Sequence, residues 1–372
     1  MKTNKQIDNS EVRAEQVANS QSVQPEAIYL GLDLHKQSIS ITRIIDHSTP
    51  QPAQRFTWDQ AWRFIQKQLS LAKKVYAVYE AGCFGFWAYR DLKAKGIECF
   101  VVHPEKLDPQ HKRVQTDKLD SRNLADKLQR YVLGNKRAMV PVYVPTQVEE
   151  QQRITARHRC RLQKQLHSLQ VRGQGWLLSQ GIFKTKGWWA ESVWEELQPK
   201  LCAELAAALE DDRALITELQ KRLKAVEKTL EDSAPKELPK GLGRLSFVLL
   251  TRELCNYERF HNRREIGSFT GLCGAVSSSG GYHVDLSINK AGGWYLRTLL
   301  VELAWRIVYW QRDYRGLQRW KQVLQADSTA SKRSRKIAIV ALARQLAVDI
   351  WRWQTGKLTA QQLGWKMSTY KF

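Results

Sequence analysis

The sequence predicts a mixed α/β domain, a long helical segment and a second, mainly helical domain, an α/β plus α class. Short strand-like runs alternate with helical spacing over residues 28–145. Gln- and Arg-rich helical spacing fills 146–232, and a Pro/Gly-rich stretch at 233–243 precedes long apolar helices. With 372 residues the chain has room for two domains and a connector.

Residues 1–27 are polar, lack the apolar core of a signal peptide, and read as a flexible tail. Residues 28–46 read as two strands around a turn at His35–Gln37, with a third strand near Gln54–Thr57. Helical spacing of Trp62, Ile65 and Leu69 predicts a helix over Asp59–Leu71, and VYAVYE at 75–80 is a short buried strand. A helix is expected over Phe84–Lys95 and stops at Gly96; the strand at 97–104 ends at Pro104. TDKLDSRNLADKLQRYVLG starts a helix near Thr116 that stops at Gly134.

In the segment 146–232, a helix is expected over Val148–Arg172, followed by a turn-rich bridge, WLLSQGIFKTKGWW. Ile216, Leu219, Leu223, Val226 and Leu230 then step by three and four, the spacing of a coiled-coil seam that Asp212 interrupts. Two such helices fold back as an antiparallel arm, pair between subunits, or pack as ordinary bundle helices. The domain at 233–355 holds a helix at Leu245–Cys255, a Ser/Gly-rich loop at 277–281 and a helix from Gly293 to Trp310. The basic run SKRSRK (331–336) leads into an apolar helix, and 356–372 reads as a tail.

Lys and Arg number 59 against 37 Asp and Glu, a formal charge of +22 that points to a polyanionic partner. No run of about 18 uncharged apolar residues exists, so no membrane span is expected. The six cysteines are scattered without a CxxC pair, which argues against a zinc site and suits a reduced cytosol. Among 14 tryptophans, Trp351 and Trp353 flank Arg352 and are candidates for stacking on nucleobases.

Four acids stand out. Asp33 lies inside the apolar strand GLDL, Glu80 closes VYAVYE, and Asp117 and Asp120 share one face at a helix start. A carboxylate in a buried strand is costly unless compensated, and a cluster of them is compensated by a hard divalent cation with oxygen ligands. Two Mg²⁺ ions held in this way activate a nucleophile and stabilise the leaving oxygen of a phosphodiester. Asp117 and Asp120 alone also fit a helix cap with first-turn charge.

At these residues the chain resembles the DEDD transposases of bacterial insertion sequences and the related Piv-type DNA invertases. The matching stretches are GLDLHK, YEAG, TDKLDSRNLA and GLCGAVSSSGG followed by INKAGGWYLRTLLVELAW, spread from about residue 28 to 355. The resemblance implies a ribonuclease-H-like domain similar to the junction resolvase RuvC over 28–145, and a C-terminal transposase domain. It implies Mg²⁺ bound by Asp33, Glu80, Asp117 and Asp120, and a serine nucleophile. Ser279, ahead of Gly280, fits the family pattern best, with Ser277 and Ser278 beside it. It further implies a structured guide RNA from the element and action on DNA in the bacterial cytoplasm, on the nucleoid; strand exchange needs several active sites, so a homo-oligomer (dimer or tetramer) is expected. Lys290, Arg297, Lys332, Arg333 and Arg335 are the candidate nucleic-acid contacts.

Other readings stay open. A DNA invertase shares the same site, and a junction-resolving nuclease uses water in place of Ser279. An ATPase of the actin and sugar-kinase type needs a second Gly-rich phosphate loop that the sequence lacks. A non-catalytic nucleic-acid-binding protein accounts for the charge alone.

Overall fold

The computed structural model describes residues 24–103, 117–183, 185–279, 282–325 and 327–369. The chain divides into two compact units, residues 1–144 and 145–372.

The first unit is built on a five-stranded sheet of order β3-β2-β1-β4-β5. Its strands are β1 (Ala27–Leu34), β2 (Ile39–Ile45), β3 (Gln54–Phe56), β4 (Lys74–Glu80) and β5 (Glu98–Val102). The first three form an antiparallel meander, and β1, β4 and β5 run parallel. This is the mixed sheet that strands first in series and then alternating with helices predict. Central strands covered on both faces read as continuous apolar runs, as β1 does over Ile28–Leu32 and β4 over Val75–Tyr79. On one face Ile28, Leu30, Leu32, Val75, Ala77 and Tyr79 pack under helices α1 (Trp58–Leu71) and α2 (Trp87–Ala94). On the other face Tyr29, Tyr76 and Val78 pack against Leu124, Ala125 and Leu128 of α3 (Asp117–Val132).

Helix α1 begins where Thr57 and Gln60 close a capping box. Helix α2 starts three residues later than the expected Phe84, because the chain turns first through Gly85 at φ +59°. Pro104 and Thr116, named as ends of predicted elements, lie outside the described residues.

The second unit opens with two long helices, α4 (Gln147–Ser179) and α5 (Ala203–Asp232). Arg159 pairs with Glu227 at 2.6 Å and Arg172 pairs with Asp212, so the helices run antiparallel within one chain. One expectation is corrected here. Helix α4 runs past Arg172 to Ser179, because Leu177 is buried with Trp188, Trp194 and Leu209. Asp212, where the apolar seam breaks, is buried in mid-helix with both carboxylate oxygens taken by the Arg172 guanidinium.

Further along come β6 (Glu237–Pro239), α6 (Arg244–Leu254), the hairpin β7 (Gly274–Ser279) and β8 (Tyr282–Ile288), α7 (Trp294–Trp310), α8 (Lys332–Gln354) and β9 (Met367–Thr369). One core joins Ala156 of α4 and Leu230 of α5 to Leu249, Leu300, Leu303, Leu342 and Leu346. Ala234, Leu238 and Leu242, within the Pro/Gly-rich stretch, are buried in that core. Residues 356–369 are no tail: Leu363 and Trp365 are buried, and β9 pairs antiparallel with β6. Trp351 is a core residue and Trp353 is half-buried against that core. Trp351 is buried with its indole N–H donated to the Tyr257 carbonyl, and Trp353 packs edge-on against Phe247 and Trp365.

A buried polar knot locks α8. The Asp349 carboxylate accepts hydrogen bonds from Tyr314 Oη at 2.6 Å, Gln345 Nε2 at 2.9 Å and Arg352 Nη1 at 3.0 Å. Burial, and then the Asp349 charge, push the Tyr314 phenol well above its ordinary range, so it stays a donor. Asp349→Ala strands both the phenol and the guanidinium and is expected to cost about 3 kcal/mol in urea unfolding. Tyr314→Phe, which leaves two donors on the carboxylate, is expected to cost about 1 kcal/mol. Equal losses would mean that Asp349 serves Tyr314 alone.

Candidate active site

Side chains alternate across a strand, so Asp33 lies on the same face as Tyr29 and Gly31, beneath α3. Glu80 lies on that face by the same count from Tyr76 and Val78. The last registered pair between parallel β1 and β4 is Leu32–Tyr79, and Asp33 and Glu80 each follow by one residue. Neighbouring strands are about 4.8 Å apart, so the two carboxylates leave the sheet side by side at its C-terminal edge. Asp120 stands one helical turn before Leu124, which packs on the same face. Glu80 and Asp120 line one cleft of about 110 Å³, with His103, Asn123 and Lys127 at its rim.

Asp33 retains 23% side-chain exposure, so it is a strand-end carboxylate open to ligands rather than a core residue. His35 Nε2 lies 3.0 Å from Asp33 Oδ2. Asp117 opens α3, and its side chain lies outside the described set. Among the described residues no three His, Cys, Asp or Glu side chains form a group that would hold a metal. Asp33, Glu80 and Asp120 share one sheet edge.

The serines sit on a hairpin. Ser277, Ser278 and Ser279 end β7 and pair with Val284, His283 and Tyr282 of β8. The expected loop at 277–281 is thus strand up to Ser279, because Tyr282, Val284 and Leu286 supply the β-forming partners that the Ser/Gly run lacks. Ser277 and Ser278 are exposed; the Ser279 side chain, like Gly280 and Gly281, lies outside the described set.

A family model described as Transposase IS116/IS110/IS902 family matches residues 238–320, which span α6, this hairpin and α7. A putative transposase, y4rJ, of Sinorhizobium fredii is 31% identical over 307 residues, covering 74% of this chain and 76% of the relative. The chain belongs to the IS116/IS110/IS902 transposase family. The transposase for insertion sequence element IS1111A of Coxiella burnetii is 29% identical, over 75% of this chain and 77% of that protein. That for IS1533 of Leptospira borgpetersenii is 24% identical, over 75% and 85%. The protein is accordingly a DNA recombination enzyme.

In this transposase the candidate nucleic-acid contacts fall into two groups. Lys332 and Arg333 are exposed in the first turn of α8, where they reinforce the positive end of the helix dipole; Arg335 is half-buried. Arg297 instead braces its own loop, its guanidinium donating to the carbonyls of Lys290 and Gly292. Lys290 is exposed and held at φ +56° in that loop. Among the described residues no helix is long and apolar enough to cross a membrane.

Sequence reasoning missed His35 and Lys127. His35 stands two residues after Asp33, at the turn between β1 and β2, and its side chain returns to that carboxylate. Lys127 stands seven residues after Asp120, two helical turns on, and reaches the same cleft. Helical periodicity counted from Asp120 was the available signal.

Proposed function

We propose that the transposase cuts and rejoins DNA by attack of the Ser279 hydroxyl on a phosphodiester, with Asp33, Glu80, Asp117 and Asp120 holding Mg²⁺ at that phosphate. The observation that carries this reading is the strand register, which brings Asp33 and Glu80 out side by side beneath the helix bearing Asp120. Their donors are hard oxygens, which suit Mg²⁺. Bound Mg²⁺ would supply positive charge to the phosphate and to the departing oxygen.

The serine oxygen forms a bond to phosphorus as the bond to the 3′ oxygen breaks. The proton lost by the serine hydroxyl is balanced by one gained at the departing 3′ oxygen, so the products are a 5′-phosphoserine and a free 3′-hydroxyl. A 3′-hydroxyl from the partner strand then attacks the phosphoserine and returns the serine, so the phosphoester bond energy is retained and no ATP is needed. The N-terminal sheet is read as ribonuclease-H-like and RuvC-like on its order, an antiparallel meander continued by parallel strands. The charge of +22 supports binding of both DNA and a structured RNA encoded by the element. A homo-oligomer acting on bacterial chromosomal DNA completes the proposal, since exchange between two duplexes requires several active sites.

The test is capture of a covalent protein–DNA adduct with Mg²⁺ and a nicked substrate, followed by peptide mapping of the linked residue. Ser279→Ala is expected to abolish the adduct, whereas Ser277→Ala and Ser278→Ala keep it. Continued cutting by Ser279→Ala without any adduct would assign the nucleophile to water, and with an adduct to Ser277 or Ser278.

A further inference from the structure

On the face of the sheet opposite α3, but at the same edge as the carboxylates, four aromatic rings form one cluster. Trp58 lies with ring centroids 4.9 Å from Trp87, 6.2 Å from Phe84 and 6.3 Å from Trp62. Three of these rings are half-buried, while Trp87 is 44% exposed. The cluster is tied to the acids from two sides. The Trp58 indole N–H donates to the carbonyls of His35 and Lys36 at 3.2 Å, and the His35 ring is hydrogen-bonded to Asp33. Phe84 lies on the turn that follows Glu80.

Two lysines stand at the rim. Lys95 Nζ sits 4.9 Å from the Trp62 ring, held there by Asp91 at 2.8 Å. Lys36, next to the Trp58 anchor, is exposed. Aromatic faces with lysines beside them match an alternation of bases and phosphates.

We propose that this cluster is a stacking platform for an unpaired base of the DNA strand that is cut, one or a few nucleotides from the scissile phosphate. The proposal rests on reading Asp33, Glu80 and Asp120 as the cleavage site, which is what makes DNA the occupant. Within a duplex both faces of a base are already covered, so a side-chain ring reaches a base only where the strand is unpaired. The platform therefore favours opened DNA at the active site. It does so without sequence preference, since every base offers a π face.

The experiment measures binding by the full chain in EDTA to a labelled oligothymidine strand, its duplex with oligoadenine, and the matching oligouridine RNA. In the unmodified protein the DNA single strand is expected to quench tryptophan fluorescence more than the duplex does. Trp87→Leu is expected to weaken single-strand DNA binding about tenfold, with duplex affinity within about twofold of the original, and Trp87→Phe to keep most of it. Equal losses on single strand and duplex, no loss on either, or a larger loss on the RNA strand would each overturn the assignment. So would a change in sedimentation of Trp87→Leu with unchanged single-strand affinity, which would make the patch a contact between copies. Because no divalent ion is present, the same Trp87 dependence is expected in an Asp33→Asn background. Covalent adducts that survive Asp33→Asn would sink the cleavage reading alone, leaving the strand preference intact.

Discussion

Asp33→Asn is expected to lower Mg²⁺-dependent strand cleavage by on the order of 10³-fold while leaving the protein folded. Asn keeps the shape of the side chain and an oxygen within reach of His35, so the turn after β1 persists. The change removes one negative charge from an edge where Glu80 stands beside it and Asp120 above. Because His35 keeps its hydrogen-bond partner, the neutral variant should unfold at nearly the temperature of the original. Loss of activity with no loss of stability is the signature of a residue kept for chemistry. Glu80→Gln and Asp120→Asn are expected to behave alike, and combining any two should do little further harm, because the carboxylates act as a unit. Quantitative cleavage assays over a Mg²⁺ titration, alongside thermal unfolding, decide the matter. A variant at Asp33 that cleaves at the original rate would remove the metal site from this sheet edge.

The parts of this architecture that the sequence revealed are those governed by local periodicity. Strands β1 and β4 were legible because two-sided burial makes short, continuous apolar runs, and Asp33 and Glu80 stood out against them. Helix α1 was legible to within one residue of its start because Trp62, Ile65 and Leu69 recur at helical spacing. What stayed hidden depends on partners far along the chain. The break at Asp212 in the apolar seam was legible, but not its partner Arg172, forty residues earlier. The last turns of α4 looked like a bridge because their burial comes from Trp188 and Trp194. The 277–281 run read as a loop because Ser and Gly have little preference for strand, and only pairing with Tyr282–Ile288 makes it one. The closing segment read as a tail because two residues, Leu363 and Trp365, anchor it on a core assembled elsewhere. At the site the order of acids was legible; the facing of Asp33 with Glu80 required the register.

Gly31→Ala is expected to damage the protein more than any other single methyl group added to the sheet. The backbone of Gly31 is ordinary strand, so the argument is steric and owes nothing to conformational freedom. A Cβ at this position would collide with the carbonyl oxygen of Ser121 and lie 2.5 Å from the amide nitrogen of Ala125, both backbone atoms of α3. A side chain would rotate away; a helix has to lift as a body. Its seat is fixed by the buried hydrogen bond of Thr42 Oγ1 with Ser121 Oγ at 3.0 Å and by Leu124, Ala125 and Leu128 in the core. Lifting α3 strains these contacts, and a loss of about 2 kcal/mol or more in unfolding free energy is expected. Asp120, the neighbour of Ser121, moves with the helix. A displacement of about 1 Å at a catalytic group costs on the order of 10²-fold in rate, so cleavage should fall well beyond what the stability loss explains. Trimming Ala125 to Gly removes only its methyl contact and leaves the two backbone clashes, so the double variant should not recover. Assays at a temperature where both proteins are fully folded separate the two effects. Full cleavage by Gly31→Ala would mean that the position of α3 on the sheet, and with it Asp120, is immaterial to the reaction.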